Sequence, residues 1–109
     1  MPTKLNAFEP DPLEVGARIR ALRHEAGLSQ SGLAALIDVS SGAVGNWEQG
    51  QSLPSVKQMS HLCAKMNVTL DFIYWGTISE LAPGRAQTLS RLGELKHDPT
   101  GPNLGQNNL

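Results

Sequence analysis

A surplus of cations is missing from this sequence, as are long apolar runs and every cysteine but one. Nine Lys plus Arg stand against ten Asp plus Glu in 109 residues, for a formal net charge of -1. With a pI near 6.3 there is no bulk electrostatic pull toward nucleic acid or membrane, so any anion binding has to be local. The lone Cys63 excludes an internal disulfide and every multi-cysteine zinc pattern, and it fits a reducing compartment. No stretch approaches the roughly eighteen apolar residues of a membrane span, and the start MPTKLNAFEPDP lacks the apolar centre of a signal peptide. The chain is expected to be soluble and cytoplasmic, with no membrane partner. Its length suits one small domain with flanking segments and leaves little room for a large catalytic cleft. His24, His61 and His97 have no ligand spacing, no serine sits in a nucleophile elbow, and no acid-base pair stands out. Neither an enzyme nor a cofactor or metal site is expected.

What the sequence does contain is a series of short helical patterns between punctuating residues. The first ten residues carry two prolines and no periodicity, which reads as a flexible arm of residues 1–10. Asp11 has the side chain of an N-cap, with Pro12 at the first helical position and Glu14 three residues on. Val15, Ile19, Leu22 and Ala26 then recur on one helical face, and Gly27 ends the helix with Leu28 folding back onto its last turn. Ser29 caps a second helix of about two turns that carries Leu33, Ala34 and Ile37 and breaks at Asp38-Val39-Ser40. Ser40 or Ser41 caps a third, held from inside by Val44 and Trp47 and stopped at Gly50. Pro54 opens a fourth with Val56, Met59, Leu62, Cys63 and Met66, and Thr69 a fifth with Leu70, Ile73 and Trp75 inward, ending at Gly76. No alternation long enough for a strand lies between them. The fold class is therefore all-α, a compact domain over residues 11–76. Beyond it, residues 86–96 form one more amphipathic stretch through Leu89, Leu92 and Leu95 or the stem of Lys96, inside an extension of residues 77–96. Residues 97–109, rich in Pro, Gly and Asn, read as a disordered tail.

Two short helices that cross steeply after a tight turn need a small residue where one passes over the other, and apolar plugs on both. Ala34 supplies the gap, and Leu33, Ile37, Val39, Val44 and Trp47 the plugs. The stretch QSGLAALIDVSSGAVGNWEQG thereby resembles the helix-turn-helix of the lambdoid phage repressor and Cro family, also called the XRE family. The likeness runs over residues 13 to 76, through Gly27 to Gln30, Trp47 to Gly50, Pro54 and the closing VTLDFIYWG. It implies a five-helix lambda-repressor-like domain whose third helix lies in the major groove of double-stranded DNA, as a homodimer on a two-fold symmetric operator. Carried over by residue, it implies base contacts from Ser41, Gly42, Gly45 and Asn46. Asn46 has the donor and acceptor of an adenine reader, whereas Ser41 suits several bases. Backbone contacts are implied for Gln30, Ser40, Gln49, Lys57, Arg20 and Arg23, with Arg18 on the same helix as the last two. Gln30 also braces the third helix from the N-terminus of the second.

Three features depart from that pattern. Asp38 stands in the turn where relatives have glycine, in a backbone conformation that aspartate tolerates better than most residues. The third helix and the loop Gly50-Gln51-Ser52-Leu53 hold no Lys or Arg, so phosphate binding falls to helix-one arginines, Lys57, backbone amides and polar side chains. The C-terminal region is too short for a sensor domain, which leaves dimerisation to the surface of helix five or to residues 78–96. Gly42 and Gly45 each cost roughly 1 kcal/mol against alanine in a helix interior. Either they permit close approach to base edges, or the helix merely tolerates them. Two functions of different class are compatible with these residues: a sequence-specific DNA-binding transcriptional regulator, a repressor; or a protein-interaction module or antitoxin on the same fold. The acidic balance and the aromatic pair Tyr74-Trp75 motivate the second, with a protein partner.

Overall fold

A computed structural model describes residues 9–93 of the chain. Residues 1–8 and 94–109, which carry most of the expected arm, the expected tail and the end of the last predicted helix, lie outside the described residues. Six helices follow in order: α1 (Pro12–Glu25), α2 (Gln30–Ile37), α3 (Ser41–Glu48), α4 (Val56–Met66), α5 (Leu70–Trp75) and α6 (Arg85–Gly93). Among the described residues there is no strand, and the all-α class with five helices between residues 11 and 76 holds.

Capping chemistry sets the helix starts. The Asp11 carboxylate accepts from the Leu13 amide at 3.0 Å ahead of Pro12, and Ser29 Oγ accepts from the Gly32 amide at 2.9 Å. Ser40, not Ser41, caps α3, its Oγ accepting from Ala43 N at 3.1 Å. The start of α4 is a correction: Ser55 rather than Pro54 opens it. Ser55 Oγ accepts from the Gln58 amide at 3.2 Å while Gln58 Oε1 accepts from the Ser55 amide at 2.8 Å, a reciprocal pair that a proline cannot form. The stops are equally local. Gly27 and Gly76 take left-handed backbone at φ 71° and 77°, and Asp38 does the same at φ 60°, where the αL residue lets its own N–H and that of Val39 close on the last carbonyls of α2.

The core lies around α1, which packs against α3, α5 and α6, while α2 packs against α3 and α4. Val15, Ile19 and Leu22 meet Leu33, Val44, Met59, Leu62 and Ile73 in one buried cluster. Four expected inward residues are not inside. Val56 is 72% exposed although its spacing matches Met59 and Cys63, because no element overlies the first turn of α4; Ala26 falls past the end of α1; and Leu70 and Trp75, the first and last residues of α5, are 38% and 45% exposed. Gly16 is where α1 comes against α3: a Cβ there would collide with the Trp47 carbonyl oxygen and come within 2.9 Å of that of Glu48.

The sixth helix begins within a residue of where the apolar spacing predicts, with Leu89 buried and Leu92 partly so. What fixes it is Arg85. Its Nε and Nη2 reach Glu25 at 2.9 and 2.8 Å, while Nη1 and Nη2 donate to the carbonyls of Asn67 and Met66 at 2.9 and 2.8 Å. One guanidinium thus joins the C-terminal ends of α1 and α4 to the start of α6, and the hydrogen bond to Glu25 raises its pKa above the usual arginine value.

Candidate nucleic-acid interface

Helix α3 is apolar and charged on its inner side and bare on its outer side. Val44 and Trp47 are buried, and so is Glu48, the only charged residue of the helix. Ser41, Gly42 and Asn46 are exposed, as is the C-cap Gln49, and Gly45 is half-buried. The four expected base-contacting positions thus fall on the outer side of α3. A Cβ on Gly42 would meet nothing nearer than Ser40 Oγ at 3.9 Å, and one on Gly45 only the Gln30 carboxamide, from 3.6 Å outward. Neither glycine is required by packing, in contrast to Gly16.

The buried charge of α3 is held by an ion pair. Arg23 Nε and Nη2 donate to Glu48 Oε2 and Oε1 at 2.7 and 2.9 Å, and Nη1 donates to the Leu28 carbonyl at 3.0 Å. This corrects the expectation that Arg23 stands on the surface as a backbone contact: it is 1% exposed, and its planar fork is matched to the carboxylate inside the domain. Glu48 Oε1 also accepts from Gln30 Nε2 at 3.2 Å. Gln30 is therefore tied to the end of α3 through a carboxylate that Arg23 orients. One carboxamide hydrogen remains for a further acceptor, and the Gln30 oxygen lies over Gly45.

The other expected backbone contacts are placed as follows. Ser40 is exposed; its oxygen accepts the capping bond, which leaves its own hydrogen to donate. Gln49 Oε1 accepts from Gln51 Nε2 at 2.9 Å, so its amide group is turned to present donors. Lys57 is exposed in the first turn of α4, where it lines a small cavity with Asp38 and His61. Arg20 is half-buried, its Nε without a hydrogen-bond partner among the described residues. Arg18 is spent elsewhere, donating to the Ile73 carbonyl at 3.0 Å and to Glu14 at 3.3 Å. Helix geometry leaves the first amides of α3 without intrahelical acceptors, a partial positive charge at its open end. Glu48, Gln51 and Gly16 were not anticipated as parts of this arrangement. Only Glu48 carried a signal, as the single charge in a helix otherwise without one.

A second helix packed across the first after a tight turn, braced from it and exposing a face without charge, defines a helix-turn-helix domain. The helix-turn-helix family model HTH_3 matches residues 19–73, and the chain belongs to that family. Among solved structures it is similar to the P22 c2 repressor in complex with a synthetic operator, at 27% identity over 58% of this chain and 96% of that one, with a TM-score of 0.56. It is similar also to the restriction-modification controller protein C.AhdI from Aeromonas hydrophila, at 31% identity over 59% and 97% of the two chains and a TM-score of 0.55. A third is the biofilm regulator SinR in complex with DNA, at 27% identity over 54% and 95% and a TM-score of 0.51. Comparison with curated proteins finds no match. Among the described residues no helix is long and apolar enough to cross a membrane.

Proposed function

We propose that the chain is a sequence-specific DNA-binding transcriptional regulator, a cytoplasmic repressor that acts as a homodimer on a two-fold symmetric operator with α3 in the major groove. The observation that carries this reading is the outward display of Ser41, Gly42 and Asn46 on a helix clamped from beneath by Val44, Trp47 and the Arg23–Glu48 pair. Asn46 reads an adenine edge through its paired donor and acceptor, and Ser41 adds a less selective hydrogen bond. Gly42 and Gly45 allow the helix backbone to approach base edges. Phosphates are met by Gln30, Ser40, Gln49, Lys57 and Arg20 and by the open amides of α3. Family members solved with DNA weigh toward this reading over the protein-interaction or antitoxin one.

Selection of bound sequences from a random DNA pool, followed by gel-shift titration across salt concentrations, tests it. A palindromic site with half-sites about one helical turn, roughly 10 base pairs, apart is the expected product. Between residues 11 and 76 there are five basic residues against six acidic ones, so few phosphates are neutralised. The fall of log affinity with log salt, about 0.9 per phosphate neutralised, should accordingly be shallow. Recovery of no preferred sequence at low salt would sink the proposal.

A further inference from the structure

Between Asp38 and Lys57 the chain has one charged residue, Glu48, and the Arg23 guanidinium neutralises it inside the domain. The exit of α3 therefore meets solvent without an ionic charge. A bare helix end would still repel a phosphate, because the last carbonyls of a helix together carry about half a unit of negative charge. Here those carbonyls are closed. Gly45 O accepts from the Gln49 amide at 3.1 Å, Trp47 O from that of Gly50 at 3.1 Å, and Asn46 O from that of Gln51 at 2.9 Å. The last two form the nested pair that closes a helix around a left-handed residue, here Gly50 at φ 77°.

A Cβ on Gly50 would come within 2.6 Å of Leu13 Cδ2 and 3.2 Å of Leu13 Cα, so the bend is fitted against α1 as well as α3. Gln49 and Gln51 flank that bend. Across it Gln51 Nε2 donates to Gln49 Oε1 at 2.9 Å. A carboxamide has one acceptor end and one end with two hydrogens, and with its oxygen engaged the exposed Gln49 has both hydrogens left to offer.

We propose that Gln51 is a positioning residue for DNA binding: by holding the Gln49 oxygen, it makes the exit of α3 a neutral two-donor site for a backbone phosphate. The proposal rests on the docking of α3 in the major groove, and it assigns a role to a side chain that itself touches no DNA. The polarity of the helix end is thereby reversed, from carbonyls that repel an anion to hydrogens that receive one. An ionised acceptor strengthens such a bond to about twice a neutral one, which favours phosphate over a base edge. The contact also differs from an arginine or lysine contact in its salt response. No cation takes part, so no counterion is released when it forms, and its share of the affinity does not decay with salt.

Gel-shift titration of the full chain on its selected operator tests this with Gln51→Met, which keeps the length of the side chain and removes the donor. Affinity should fall about tenfold, with the slope of log affinity against log salt as in the native chain and the melting temperature within about 4 °C of it. Gln49→Met should lose at least as much. The double variant should match Gln49→Met alone, because Gln51 acts only through Gln49. Phosphate ethylation locates the contact: one phosphate per half-site should interfere with binding of the native chain and cease to do so in either single variant. Additive losses would overturn the proposal by making Gln51 a DNA contact in its own right. A shallower salt slope in Gln51→Met, or a lost contact that maps to a guanine by methylation interference, would also overturn it. An operator bound equally by the native chain and Gln51→Met would overturn this proposal alone, whereas a native chain that selects no operator would defeat the regulator reading and this proposal together.

Discussion

Replacing both Gly42 and Gly45 by alanine should push stability and operator binding in opposite directions. On the stability side the structure leaves nothing to oppose the change, because the added methyls would lie 3.9 Å from Ser40 Oγ and 3.6 Å from Gln30 Oε1, ordinary contact distances. Each glycine in a helix interior costs roughly 0.8–1 kcal/mol relative to alanine, so the double variant should gain about 1.5 kcal/mol. For a domain of this size that corresponds to a rise in melting temperature of roughly 6–12 °C. On the binding side, the proposed docking of α3 puts the same two methyls against base edges. Overpacking of a fitted contact costs about 1–3 kcal/mol, and a tenfold loss corresponds to about 1.4 kcal/mol, so the selected operator should be bound at least tenfold more weakly. Calorimetry and gel-shift titration on the same preparation read both quantities. Gly16→Ala is the internal contrast: its methyl would collide with the Trp47 carbonyl oxygen, and the melting temperature should fall. A double variant that melts higher yet binds its operator unchanged would refute the close-approach argument, and one that melts lower would refute the packing argument.

Arg23→Ala would leave the Glu48 carboxylate buried without its ion pair and should cost about 3–5 kcal/mol in denaturant unfolding. The apolar pair Arg23→Met with Glu48→Leu should recover most of that, yet operator affinity should stay reduced, because Gln30 loses the acceptor that orients it. Asn46→Ala, at an exposed position, should leave stability within about 0.5 kcal/mol and remove about 1–3 kcal/mol of discrimination at one base position, read by competition between operator variants. Burial raises the Cys63 thiol above its ordinary 9.0. The folded chain keeps that proton where the unfolded chain releases it, so the contribution to stability is complete below about pH 9 and is lost as pH rises toward the folded value. Cys63→Ala should flatten the alkaline limb of the stability profile, and thiol-reagent labelling of the native protein should be slow until it unfolds.

How much was legible in the chain depended on how local the cause was. Asp11-Pro12, Ser29, Thr69, Gly27, Gly76 and the apolar spacing act within a few residues, and the helices they predict are present at nearly those bounds. The start of α4 went wrong by a residue or two because proline at N1 and a Ser-x-x-Gln capping box compete for the same stretch. The second wins by satisfying two amides. Exposure of the reading face was also legible, since Val44 and Trp47 fix which side of α3 turns inward. Arg23 was not legible. Three arginines on one helix look alike by spacing, and their fates are decided by partners 25 residues away for Arg23 and 55 away for Arg18. The role of Arg85 is hidden for the same reason, with its acceptors on two other helices.

These long-range pairs bear directly on how such a domain could recognise DNA. Three of its arginines are consumed internally: Arg23 holds the end of α3, Arg18 the end of α5, and Arg85 joins α6 to α1 and α4. Each is worth more there than on the surface, because a cation near helix C-termini meets unsatisfied carbonyls in addition to a carboxylate. The cost falls on non-specific attraction. With the inner charges neutralised and the outer face of α3 carrying none, little long-range field remains to draw the domain onto arbitrary DNA. On the proposed reading discrimination then comes from contact terms, namely Asn46 and Ser41 at base edges and the fit of a backbone unshielded at Gly42 and Gly45. Terms of that kind vanish when the fit is wrong, so the ratio of specific to non-specific affinity can be high even where absolute affinity per half-site is modest. A weak half-site is corrected by pairing two of them, which is the physical reason to expect a dimer from a chain that supplies so few free cations.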